Sequence, residues 1–225
     1  MNNKMIKAQN INKVFHSAKE KVIALNDIDL AIKKSEFVLI KGESGSGKST
    51  LLFIMGGMLN PTSGKMIVNN KDLFTLSEVE RSKYRANEIG FVFQSYHLLP
   101  YLNVLENIML SNKLPSIQIQ KEEVFKIAKE LGIADRLDHK PSQLSAGEKQ
   151  RIALARALIT NPSVILADEP TGNLDEKNTL EVLNYLKHFQ QKGGTVVMVT
   201  HGNLADKYAT RTIQLQKGEL IKTEK

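Results

Sequence analysis

The segment GESGSGKST, Gly42 to Thr50, follows the apolar run FVLIK (37 to 41) and opens a helical pattern from Lys48 to Gly56. A glycine-rich stretch pinned between a buried strand and a helix start constrains the fold more than anything else in the chain. Gly42, Ser44, Gly45 and Gly47 allow a tight loop whose backbone NH groups face inward at the positive end of a helix, a nest for anionic oxygens. The spacing fits GxxxxGK[ST], a phosphate-binding loop, in the strand, loop and helix setting that motif requires. Lys48 then brings a positive charge to the β and γ phosphates of a nucleotide. Ser49, beside Thr50, offers a hydroxyl to Mg²⁺, which prefers hard oxygen ligands.

The pattern around this loop is α/β. Short β-branched runs alternate with helical segments, which predicts a mostly parallel, buried sheet. The clearest strands are FVLIK, IGFVF (89 to 93), SVILAD (163 to 168) and TVVMVT (195 to 200). The last three end at Gln94, at the pair Asp168 and Glu169, and at His201, and groups just past the carboxyl ends of parallel strands line the ligand crevice. Alternating segments near Ile6 to Val14 and Val22 to Ile32 predict an antiparallel pair beside the main sheet. From Val104 to Lys140 strand signals give way to helical ones, including KEEVFKIAKELGIADRL.

With 225 residues, one generous domain is the simplest organisation, residues 1–225, with a helical insertion at about 95–160. No run approaches the roughly 20 apolar residues of a membrane-spanning helix, and the start MNNKMIKAQNINK lacks the apolar core of a leader, so a soluble, unexported chain is expected. The absence of cysteine fits a reducing compartment and excludes thiolate metal sites. The formal charge of +7 is scattered rather than gathered, which speaks for a solvated surface and against nucleic acid as partner.

Asp168 at the end of an apolar strand can hold magnesium through its water shell, and Glu169 can orient or deprotonate an attacking water. A carboxylate pair after a strand is common. Beside a phosphate loop it becomes the second half of a hydrolytic site. His16, His97, His139 and His188 have no ligand spacing, so no protein-bound zinc is expected. Met55 and Met58 read as core, and Lys121 to Glu123 as a solvated helix start.

LSAGEKQRIALARAL, Leu144 to Leu158, lies just upstream of ILADEPTGNLD and resembles the signature motif and following helix of ABC ATPases. The matching motifs run from Phe15 to His201. The resemblance implies a P-loop ABC ATPase fold: a mostly parallel core sheet, an N-terminal antiparallel β subdomain and a helical signature subdomain. It implies a homodimer in which Ser145, Gly147 and Glu148 of one copy reach the γ phosphate held by the other. Asp175 would link the two sites across the dimer. Gln94 would contact magnesium and water, joining Ser49 and Asp168 at the metal, and would couple the helical insertion to a permease. His201 would position the γ phosphate and attacking water beside Glu169, and Phe15 would stack on adenine.

Local alternatives accompany these roles. Ser145 and Glu148 also form the pattern of a capping box, and the two readings are compatible. Phe15 also suits core packing between two strands, Gln94 a polar strand cap, and Asp175 an ordinary loop position. Ala146 and Glu148 depart from LSGGQ. Alanine there adds a Cβ that is costly if the position needs positive φ; retained activity is expected, with a reduction only in that case. Gly202 replaces the family's usual Asp after the histidine.

The motifs also look like the branch serving lipoprotein release, macrolide or peptide efflux and haem efflux. That implies ATP and Mg²⁺ as cofactors, a membrane permease, an extracytoplasmic adaptor, a place on the cytoplasmic face of the inner membrane, and export or extraction. A soluble ABC protein acting on nucleic acid or ribosomes is the rival. It would be expected to carry coiled coils or two cassettes.

Overall fold

The computed structural model describes residues 4–16, 20–113 and 117–224. The first three residues of the N-terminal segment and residues 114–116 of the helical insertion lie outside the described residues. Two sheets divide the strands. The first orders β2 (Lys21–Lys33), β1 (Lys4–His16), β4 (Ser63–Val68) and β5 (Lys71–Asp72), all antiparallel. Its first pair is the one expected from the alternating N-terminal segments.

The second sheet orders β10 (Glu219–Glu224), β9 (Arg211–Gln216), β3 (Phe37–Lys41), β8 (Thr195–Val199), β7 (Val164–Asp168) and β6 (Ile89–Phe93). It is parallel from β9 to β6, and only β10 runs against its neighbour. The four strands read from sequence are contiguous in the order β3, β8, β7, β6. In β3 and β8 every hydrophobic residue from Phe37 to Ile40 and from Val196 to Val199 is fully buried. Period-two alternation sends Val38 and Ile40 to the side of the antiparallel sheet and Phe37 and Leu39 to the helices, so both faces are covered and the strand needs no polar residue.

Six α-helices complete the described residues: α1 (Lys48–Met55), α2 (Glu78–Glu88), α3 (Val104–Ile108), α4 (Lys121–Glu130), α5 (Ala146–Leu158) and α6 (Glu176–Gln191). Between β6 and β7 the chain is helical or loop throughout its described part, as the sequence implied. α1 sits between the two sheets with Leu51, Leu52, Ile54 and Met55 buried. Met58 does not follow them. The helix stops at Gly56, and Gly57 takes φ 64°, so Met58 turns outward and is 52% exposed. Its expected core position is therefore incorrect.

Candidate active site

Because β3, β7 and β8 are parallel, their carboxyl ends open on one edge of the sheet, and the loops that follow surround a cavity of about 710 Å³. Ser44, Gly45, Gly47, Lys48, Ser49 and Thr50 form one wall. Gln94, Glu169 and His201 face them. Gly47 caps α1 at φ 101°, and a Cβ on it would stand 2.3 Å from the carbonyl oxygen of Ala24, so both conformation and space require glycine. Gly42 lies behind the wall rather than in it.

Lys48 is buried and donates to the carbonyls of Gly42 (2.9 Å) and Glu43 (2.7 Å), bracing the loop across its own opening. Burial lowers its pKa, against the pull of the Glu169 and Asp168 carboxylates, which raise it. The Ser49 hydroxyl donates to Asp168 Oδ1 at 2.9 Å, joining the start of α1 to the end of β7. Burial raises the Asp168 pKa, opposed by the Ser49 hydrogen bond and the Lys48 charge. The pair of hard oxygens beside a phosphate nest is the donor set that suits Mg²⁺. Asp168 borders a smaller adjoining cavity that Gln94 shares.

Glu169 has φ 46°, a left-handed backbone that costs a non-glycine residue energy and aims the side chain off the strand line. Its amide is fixed to the carbonyl of Val199 (3.0 Å), so β8 holds the turn. His201 Nε2 lies 3.1 Å from Glu169 Oε1, and the His201 amide donates to Glu169 Oε2 at 3.3 Å. The histidine side chain is 53% exposed towards the cavity mouth. The Gly202 amide donates to the Thr200 hydroxyl (3.0 Å), fixing the turn after β8. Gln94 is exposed, and Asn173 donates to its carbonyl at 3.2 Å, tying the end of β6 to the loop before Asp175.

Phe15 is 42% exposed, which excludes simple core packing. It pairs across the strands with Val22, itself 50% exposed, and the Lys13 ammonium lies 4.9 Å from its ring centroid. Val22 and Ala24 line the cavity, so Phe15 stands beside its mouth as an apolar platform. Thr171, Thr179, Thr200 and Leu204 also line the cavity and were not singled out from sequence. They come from four separate loops and element ends with no shared motif.

Ser145, Gly147, Glu148 and Asp175 do not border the cavity. Ser145 caps α5: the Glu148 amide donates to its hydroxyl (3.3 Å), and the Ser145 amide donates back to Glu148 Oε2 (2.8 Å). Arg136 donates to Glu148 Oε1 at 2.7 Å. These bonds, the Ser145 amide first and then Arg136, pull the Glu148 pKa down to about 2. Ala146 is the first residue of α5, exposed, and outside the left-handed region, so its Cβ meets no backbone penalty. The expected cost of alanine is not found. Asp175 caps α6, accepting from the Asn178 amide at 2.8 Å.

A phosphate nest at a helix start, paired with a strand-end carboxylate dyad on a parallel sheet, defines a P-loop nucleoside triphosphatase. Residues 25–172 match the family described as ABC transporter. The lipoprotein-releasing system ATP-binding protein LolD of Wigglesworthia glossinidia brevipalpis is 40% identical over 226 residues, covering 99% of each chain. The macrolide export ATP-binding/permease protein MacB of Hahella chejuensis is 41% identical over 98% of this chain, which spans 34% of that longer protein. A dimeric ATP-binding cassette solved in a post-hydrolysis state with ADP and phosphate superposes with TM-score 0.92 at 39% identity, over 98% of each chain. The chain belongs to the ABC transporter family and is an ATP-binding, ATP-hydrolysing subunit within it. Among the described residues no helix is long and apolar enough to cross a membrane.

Proposed function

We propose that two copies of this chain close head to tail on ATP at the cytoplasmic face of the membrane and drive a separate permease that exports or extracts its cargo. The observation that carries this reading is the split of the site. The loop, Glu169 and His201 line one cavity, while Ser145, Gly147 and Glu148 at the start of helix α5 do not border it. A γ phosphate bound in one copy therefore finds its last donors on another, and a helix amino end with a serine cap suits an anion. The dimeric state of the related cassette supports this arrangement.

Within one copy, Phe15 and Val22 offer an apolar face to the adenine ring. Lys48 leaves the carbonyls of Gly42 and Glu43 to neutralise the β and γ oxygens. Glu169 accepts the proton of the attacking water, and His201, held against it, aligns water and γ phosphate. The water oxygen bonds to the γ phosphorus as the β–γ bridge breaks, leaving ADP and phosphate. Mg²⁺, when bound, would be held by Ser49, Asp168 and Gln94 and would neutralise phosphate charge. Signature residues Ser145 and Gly147 act in the other copy's site, with Glu148 holding the helix start.

The permease contact is assigned to a second cavity of about 410 Å³, lined by Met58, Arg85, Phe91, Phe93, Leu110 and Arg156. Arg156 donates to the carbonyls of Tyr96 and His97 (both 2.6 Å), residues whose φ values are positive, so the loop after Gln94 is anchored to α5. A push in this groove reaches Gln94 and the signature helix together. An extracytoplasmic adaptor would act through that permease. The rival reading, a cassette acting on nucleic acid or ribosomes, is not favoured by the transport relatives.

The test is Glu169→Gln. The variant should bind MgATP and accumulate as a dimer by light scattering while losing nearly all turnover. A stable monomer at saturating MgATP would overturn the composite site.

A further inference from the structure

Signature helix α5 and the Asp175 loop are sequence-distant, yet one side chain touches both. Asn178, in the first turn of α6, donates from Nδ2 to both Asp175 oxygens at 2.9 Å. Its Oδ1 accepts from Arg151 Nη1 of α5 at 3.0 Å. The same Arg151 nitrogen reaches Glu181 Oε2, one turn further along α6, at 2.7 Å. The carboxamide also occupies the space in front of Gly147: a Cβ there would stand 2.1 Å from Asn178 Oδ1 and 2.5 Å from its Cγ. Gly147 is buried and has an ordinary helical φ, so within the subunit this approach, not backbone conformation, is what demands glycine.

We propose that Asn178 is a positioning residue for the composite site, clasping the start of the signature helix and the Asp175 loop into one face that the partner copy receives as a unit. The proposal rests on the head-to-tail reading above. The amide suits the task because it is both donor and acceptor: it faces an acceptor-only carboxylate on one side and a donor-only guanidinium on the other. Asp175, with both oxygens engaged in its own subunit, then acts across the dimer through the shape and backbone of its loop.

Three variants test this. Asn178→Ala should leave the affinity of a single subunit for a fluorescent ATP analogue unchanged. It should lower kcat by on the order of tenfold, as expected when donors are misplaced by a fraction of an ångström to an ångström. In the Glu169→Gln background it should raise by a similar factor the MgATP concentration that drives dimer formation. A lowered Tm with unchanged dimerisation and kcat would mean the residue only caps α6 and would overturn the proposal. Gly147→Ala supplies the independent check. It should lower Tm in the natural chain and much less in the Asn178→Ala background, because the two share one space. Equal losses in both backgrounds would overturn the clasp. Failure of Glu169→Gln itself to dimerise would instead strike the head-to-tail reading, so the two failures are distinguishable.

Discussion

The two halves of the proposed composite site are held in opposite ways. On the phosphate-loop side the central cation is spent on its own loop: Lys48 grips the carbonyls of Gly42 and Glu43, bonds it must release to meet a nucleotide. On the signature side only the Ser145 hydroxyl, which donates to Glu148 Oε2 at 2.9 Å, would have to turn. Ser145, Glu148 and Arg136 form a closed set of bonds that caps the amino end of α5. One half adapts and the other is built stiff, so conformational change should be read at the loop and specificity of docking at the helix.

The largest effect should come from the adaptable half. Lys48→Ala removes the one cation of the loop, and steady-state ATPase assays should show a loss of about a thousandfold or more, as for other lost charges in phosphoryl transfer. A smaller loss would mean that the signature side carries more of the charge stabilisation than this contrast allows. Next comes Arg136→Ala on the stiff half. Its partly exposed ion pair with Glu148 makes a cost of roughly 0.5–1 kcal/mol by urea denaturation the expected result, with turnover reduced severalfold and ATP affinity unchanged.

Acid provides a third probe. Folding lowers the Glu148 pKa from its ordinary 4.5 to about 2, so its contribution is complete above 4.5 and fades as pH falls from 4.5 towards 2. The stability gap between the natural chain and Glu148→Gln, which keeps the cap but not the charge, should be constant near neutrality and narrow across that window. The smallest effect belongs to Ala146→Gly. At a normal helical position glycine brings flexibility and no relief, so activity should not rise and stability should fall by at most about 1 kcal/mol.

The same contrast governs what could be read from sequence. The adaptable half was legible because its chemistry is contiguous: FVLIK, the loop and Lys48 follow one another, and Gln94, Asp168 and His201 each stand just past an apolar strand run. The capping box at Ser145 was legible for the same reason, being four residues long. What joins distant segments was not. Arg136 lies far from the helix it serves, Asn178 is one polar residue among several in α6, and the threonines lining the cavity share no pattern. Met58 misled because an apolar residue after an apolar helix resembles core until Gly57 reverses the chain. The Cβ cost weighed at Ala146 depended on a backbone φ that sequence does not show and that is helical at this position.

The hairpin of β9 and β10 has a consequence for the phosphate loop. Its two-residue turn, Lys217 and Gly218, takes positive φ at both positions, and the Gly218 amide donates to the carbonyl of Ser46 inside the phosphate loop at 3.0 Å. β9 meanwhile closes the open side of β3. A strand and a clip far downstream in sequence thus brace the phosphate loop. The glycine motif by itself lacks this brace, so the shape of the loop depends on a hairpin distant from it in sequence.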